Sequence, residues 1–274
     1  MSRITLTPGK IERHFRRDLG DVNPHMCIVD VAVSSLLKQA RISSQDDLKF
    51  ITETAKEYNH PRLHIEKLNI CDVSYFVYIS HVTFINSRAE LACKQVRQLE
   101  GMLKKAKEHA EGDFLRKTIY VIKASKEGKE KLDKATAVDE EINSIVGTLN
   151  VSIIDYFREL RNTQIHMAER ESKNIKEARR HVSDEEALRE YGASLSASGL
   201  LTASDILLLS KVWQKVIKDI CRNCLDNTKV YQELKELYRG ISNKERRLNK
   251  IRQTLKQEYL QTDSDIKYLM YEDM

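Results

Sequence analysis

The chain is short of the residues that interrupt regular structure. In 274 residues it has 3 Pro and 9 Gly, and aromatics make up 7%. It is rich in Leu, Lys, Glu, Ala and Ile, a profile that favours an all-α protein. A phosphate-cradling glycine loop, a nucleophile elbow and a clustered aromatic platform for single-stranded bases are all missing. No run of about 18 apolar residues occurs, so no membrane partner is expected. No basic segment followed by an apolar block opens the chain. A dominant charge is lacking too: 46 Lys and Arg against 41 Asp and Glu leave +5, which permits contact with nucleic acid without demanding it.

Cysteine is sparse and odd in number: Cys27, Cys71, Cys93, Cys221 and Cys224. Mostly set in apolar stretches, these point to reduced thiols in a cytoplasm rather than to a disulfide framework. Cys221-Arg-Asn-Cys224 has no second pair and no nearby His to complete a zinc site, and reads as core packing. Asp155 and Glu159 lie one turn apart and could hold Mg²⁺ through water, but Arg158 between them favours an ion-pair network. A cytoplasmic protein without metal or cofactor is expected.

What is present is apolar periodicity. Pro8, Gly9, Gly20 and Pro24 mark an irregular or short-helical lead-in, and Met26 to Ala40 predicts a buried helix. Ser44 and Asp47 read as a capping box before a helix over 48–58, which Asn59-His60-Pro61 ends. From Asp72 to about Ala110, Tyr78, Ile85, Ala92 and Leu99 recur every seven residues, predicting one long amphipathic helix. Gly112-Asp113 restarts a basic segment to about Lys134, either a solvated helix face or a phosphate-tracking patch. Asp139 opens a helix whose stripe runs through Ile142, Val146, Leu149, Ile153, Phe157 and Leu160. Ser183 with Glu186, and Thr202 with Asp205, cap the helices on either side of a Gly/Ser/Ala-rich loop. Beyond Asn227 come charged amphipathic helices around Gly240, with Ser242 and Glu245 as a further capping box. Three segments result: a mostly helical 1–61, a helical bundle over 62–227 and a charged helical extension over 228–274.

Arg161-Asn162-Thr163-Gln164-Ile165-His166 stands out from this pattern. Arg is a fork-shaped phosphate ligand, and His trades protons near neutral pH. The pair is a minimal kit for metal-free cleavage of a phosphodiester. The spacing alone is expected roughly once by chance in such a chain. On an ideal helix Asn162 and His166 share a face, while Arg161 and His166 stand about 140° apart. A straight helix therefore cannot aim both at one phosphate: either the helix is distorted there, or two copies face each other and share one cleft. The second solution predicts a homodimer. The competing view makes Arg161 and His166 surface members of i,i+4 pairs on a charged helix.

The stretch Tyr156-Phe-Arg-Glu-Leu-Arg-Asn-Thr-Gln-Ile-His166 resembles the signature of the HEPN superfamily: an apolar helix ending in Arg, a polar residue, a short spacer, then His. An aromatic-rich early helix (Tyr75 to Phe84) and a final apolar helix (Ser204 to Cys224) resemble the opening and closing helices of such domains. The resemblance covers roughly 66–226 in organisation. It implies a helical bundle that dimerises and a metal-independent endoribonuclease, often in toxin–antitoxin or anti-phage defence. Arg161 would bind and polarise the scissile phosphate, His166 would serve as general base or acid for 2′-OH attack, and Asn162 would orient the His or donate to the phosphate. Arg158, Arg170, Lys117 and Lys123 would hold RNA beyond that phosphate, and an antitoxin or other regulatory protein is an implied partner. Ala168 stands where one HEPN subgroup carries a nucleotidylated Tyr, and Met167 stands where a small residue is common. Two rival functions remain: a non-catalytic helical interaction module, and an RNA-sensing subunit that does not cleave.

Overall fold

The computed structural model describes residues 6–43, 46–60, 70–132, 136–165, 173–196 and 201–271. Every regular element among them is helical: α1 (Pro8–Ile42), α2 (Asp47–Glu57), α3 (Ile70–Val96), a 3₁₀ turn (Lys105–His109), α4 (Phe114–Glu127), α5 (Thr136–Ile145), α6 (Thr148–Ile165), α7 (Lys173–Arg180), α8 (Asp184–Tyr191), α9 (Ala203–Asn223), α10 (Asn227–Leu237), α11 (Lys244–Glu258) and α12 (Asp263–Leu269). The chain is all-α as expected. No described helix is long and apolar enough to cross a membrane.

Several boundaries differ from those expected. The lead-in is not irregular: α1 runs straight through Pro24. Proline removes the donor for the Gly20 carbonyl at a cost of ~3 kcal/mol. Ile11, Phe15, Leu19 and Met26 lie four, four and seven residues apart and are all buried, and that burial outweighs the lost bond. The stretch from Met26 to Ala40 is helical but not buried throughout, since Ile28 is 65% and Val31 66% exposed. The N-cap of α2 is Asp46, which accepts from the Leu48 and Lys49 amides; Ser44 lies outside the described residues. Helix α11 is likewise capped by Asn243, accepting from the Arg246 amide, and not by Ser242.

Helix α3 stops at Val96 instead of continuing to Ala110. Its buried seam is regular, Tyr75, Tyr78, Val82, Ile85, Ala89, Ala92 and Val96 at alternating three- and four-residue steps. Beyond it the chain tightens into three-residue bonds, Gln98 N–H to Gln95 O (3.0 Å) and Leu99 N–H to Val96 O (3.1 Å). It then turns at Gly101, φ 93°. The single helix expected from Asp139 is two, because Gly147 at φ 86° separates α5 from α6. A left-handed residue cannot sit inside an α-helix, and glycine alone takes that conformation without strain.

The chain forms two compact units, each discontinuous in sequence. One comprises Met1–Asp18, Asn86–Asp155 and Val212–Met274; the other comprises Leu19–Ile85 and Tyr156–Lys211. Helices α1, α3, α6 and α9 each give residues to both.

In the first unit, α4 packs on α5 and on the 3₁₀ turn. Asp113 caps α4 by accepting from the Leu115 and Arg116 amides, and Gly128 (φ 67°) ends it. Trp213 is fully buried, stacks on Phe114 with ring centroids 5.5 Å apart, and donates its indole N–H to Asn86 Oδ1 at 3.1 Å. Cys93, Cys221 and Cys224 are buried in this unit. Burial pushes the Cys93 and Cys224 thiols up to about 12, so they behave as small apolar groups. Helices α10, α11 and α12 gather a core of their own from Val230, Tyr231, Leu234, Ile251, Leu255, Ile266 and Met270. The start of α1 docks on the end of α11: Thr7 Oγ1 donates to Glu258 Oε2 (2.5 Å), and Arg13 donates to the Gln257 carbonyl (2.6 Å) and to Glu258 Oε1 (3.1 Å). Gly9 permits the approach, since a Cβ there would lie 2.2 Å from the Gln257 oxygen.

In the second unit, Tyr78 donates its hydroxyl to Asp30 and Lys211 donates to the Tyr191 carbonyl at 2.8 Å. The expected cap at Thr202 and Asp205 is present and extended. Asp205, buried, accepts from the Thr202 amide (2.8 Å), the Thr202 hydroxyl (2.7 Å) and the Ser196 amide (2.8 Å). One carboxylate thus joins the loop to the start of α9.

Candidate functional site

Helix α6 carries the Arg161 element, and it is covered on nearly all sides. Ile153, Ile154, Tyr156, Phe157 and Leu160 are buried. Asp155, Arg158, Glu159, Arg161, Asn162 and Thr163 are partly exposed. Among the side chains of α6 that are described, Thr148 alone is exposed. Arg161 is partly buried.

The guanidinium of Arg161 is short of acceptors, a state it shares with Arg97, whose Nε is also buried without a partner. The Arg161 Nη2 donates to the Asn162 amide oxygen at 3.1 Å. Its Nε is buried with no hydrogen-bond partner. Among the described residues no carboxylate pairs with it, in contrast to the other arginines nearby in sequence. Arg158 faces Glu159 at 3.6 Å. Arg179 donates to Asp184 at 2.5 Å and to the Val182 carbonyl at 3.4 Å. A buried, unsatisfied donor on a charged group costs ~1–3 kcal/mol or more, and an anionic ligand is the group that would satisfy it.

His166 and Arg170 lie outside the described residues, so the structure brings together Arg161 and Asn162 of the expected trio. Lys117 and Lys123 belong to α4, in the other unit. Lys123 is 3.7 Å from Glu141. Arg116, in the same basic segment, donates to both Asp113 and Asp155, the latter at 3.2 Å. Burial works against its charge, but the two carboxylates outweigh it and hold the proton more firmly than usual. Lys129 is 3.5 Å from Glu127. These pairings balance the charge of the segment, and Arg116, Lys117 and Lys123 are only partly exposed. Asp155, weighed as a Mg²⁺ ligand with Glu159, is instead an ion-pair partner of Arg116. Among the described residues no group of three His, Cys, Asp or Glu side chains gathers in a way that could hold a metal.

Composition gave no hint of the electrostatics around Tyr156. Burial and then the Asp205 carboxylate push its hydroxyl up to about 12, against Arg179. The cap at Thr202 and Asp205 is visible in sequence, but its neighbourhood with Tyr156 follows only from the fold. Tyr156 stays protonated at neutral pH and can donate but not act as a base.

No family model, no curated protein and no solved structure matches this chain.

Proposed function

We propose that the Arg161 element is the phosphate-binding half of a metal-independent endoribonuclease site of HEPN type. One observation carries this: a half-buried guanidinium with an unpartnered Nε and no carboxylate partner among the described residues. Arg116 and Arg179, by contrast, are each paired with an acid. An arginine left charged and short of acceptors is a poor stabiliser and a good anion ligand.

In this scheme Arg161 takes a non-bridging oxygen of the scissile phosphate, and Asn162 fixes the fork through its amide oxygen. His166 removes the proton from the ribose 2′-OH. The 2′-oxygen attacks phosphorus, the bond to the 5′-oxygen breaks, and the leaving oxygen takes a proton. The products are a 2′,3′-cyclic phosphate and a 5′-hydroxyl. DNA lacks the 2′-OH and survives. On an ideal helix Arg161 and His166 would point in different directions, so the scheme builds the site from two copies of the chain. A cytoplasmic setting with an antitoxin or other regulator follows from the same family resemblance.

A test incubates the protein with mixed RNA in EDTA beside Arg161→Ala and His166→Ala. Loss of cleavage in both variants supports the site, and cleavage that survives in either removes it. A second function, the non-catalytic interaction module, is favoured by the exposed Ile28, Val31 and Ile42 of α1. It predicts no RNA cleavage in any variant and an unaltered partner complex in Arg161→Ala.

A further inference from the structure

The fold brings together tyrosines that are distant in sequence. Tyr231 on α10 and Tyr268 and Tyr271, at and just beyond α12, are 37 and 40 residues apart in sequence. They line one open groove of about 560 Å³, together with Gln232, Lys235 and Lys267. Tyr231 is buried as part of the three-helix core, and the Lys235 ammonium lies over its ring at 5.4 Å. Tyr268 and Tyr271 are the reverse: 83% and 77% exposed, contributing nothing to that core. No carboxylate lines the groove among the described residues, and no described acid pairs with Lys267. Over 228–274 the chain has ten Lys and Arg against eight Asp and Glu, a net of +2.

We infer that this groove between α10 and α12 is a contact for single-stranded RNA. Exposed tyrosine faces stack on unpaired bases whatever the sequence, and flanking ammonium groups take the phosphates. A duplex keeps its bases stacked internally and cannot use the rings. A protein partner would need an apolar, desolvated pocket for an anchoring side chain, whereas this groove offers rings and polar groups open to water. The inference does not depend on Arg161, which belongs to the other unit. It predicts RNA retention that is separable from cleavage.

The test uses the full chain carrying Arg161→Ala, so that any cleavage through that residue cannot deplete the probe. A fluorescein-labelled oligouridylate of about 12 nucleotides is titrated in EDTA and followed by anisotropy. Tyr268→Ala/Tyr271→Ala should weaken binding ~10-fold or more, since each stacked base contributes about 5- to 100-fold. Tyr268→Phe/Tyr271→Phe should bind within about 2-fold of the parent, because it keeps both rings. Lys267→Ala should flatten the salt dependence by ~0.7 in log–log slope, the share of one phosphate on a single strand. Both tyrosines are exposed, so these variants fold. Equal binding by the double Ala variant overturns the inference. So does equal competition by duplex RNA, equal competition by an acidic peptide, which would mark a protein groove, or no RNA binding at all.

Discussion

Arg161 and Asn162, adjacent on α6, hydrogen-bond to each other through Nη2 and the amide oxygen at 3.1 Å, while the guanidinium Nε is buried without a partner. The asparagine fixes the fork without neutralising it. A charge kept in this way is costly for stability and available to a phosphate, so the two properties should separate on mutation.

Arg161→Met keeps the length and apolar stem while removing the charge and the orphaned donor. Stability should be unchanged or higher by up to ~1–3 kcal/mol, while any cleavage activity falls ~100-fold or more. Urea unfolding beside a cleavage assay measures both. A clear loss of stability would make Arg161 a structural residue instead.

If the site is shared between two copies, two dead variants should rescue each other. Arg161→Ala mixed and refolded with His166→Ala gives heterodimers in which one of the two sites has both groups intact. About a quarter of wild-type activity should return in the mixture. No recovery would place both groups in one chain and contradict the helix geometry.

The two glycines of α1 should respond with opposite signs. Gly9→Ala forces a Cβ to 2.2 Å from the Gln257 carbonyl oxygen, an overpacking worth ~1–3 kcal/mol of stability. Gly20→Ala meets nothing within 4 Å and sits inside a helix, so it should stabilise by ~0.5–1 kcal/mol. Thermal midpoints of the two variants, moving apart around the parent, check this. A shift of the same sign in both would argue against the docking of Gly9 on α11.

The C-terminal helices should be acid-sensitive through two carboxylates. Glu258 is raised by burial, but the Thr7 and Arg13 hydrogen bonds and charge bring it below the usual range. Asp265 is likewise raised by burial and held low overall by Thr262 and Arg222. Because the folded values lie below the unfolded ones, the stabilisation is present above the ordinary carboxylate range and is lost as pH falls through the folded values, below about pH 4. Glu258→Gln/Asp265→Asn should therefore be less stable than the parent at neutral pH, with the gap closing in acid. Urea midpoints against pH would show it; parallel curves would exclude the linkage.

The sequence carried the helices more faithfully than their ends. The seven-residue recurrence of Tyr78, Ile85, Ala92 and Leu99 correctly marked buried positions, and Thr202 with Asp205 correctly marked the start of α9. The end of α3 at Val96 is followed by Gly101, a signal masked by Leu99, which continues the seven-residue recurrence past it. The break at Gly147 was hidden because Val146 and Leu149 continue the apolar stripe across it. Pro24 misled in the other direction, as burial of Met26 and Leu19 keeps α1 intact. At the site, the Arg161 element was legible from residue types. Its partial burial and unpaired Nε were not, because both depend on what packs around α6. Tyr231 and Tyr268 could not be seen as neighbours at all, being joined only by the docking of α12 on α10.

The central claim is tested most directly by the chemistry of the cut ends. RNA incubated with the wild-type protein in EDTA should yield 2′,3′-cyclic phosphate and 5′-hydroxyl termini, with matched DNA left intact. Arg161→Ala and His166→Ala should each reduce the rate ~100-fold or more. Intact RNA with the wild-type protein, cleavage undiminished in either variant, or equal cleavage of DNA would contradict the account.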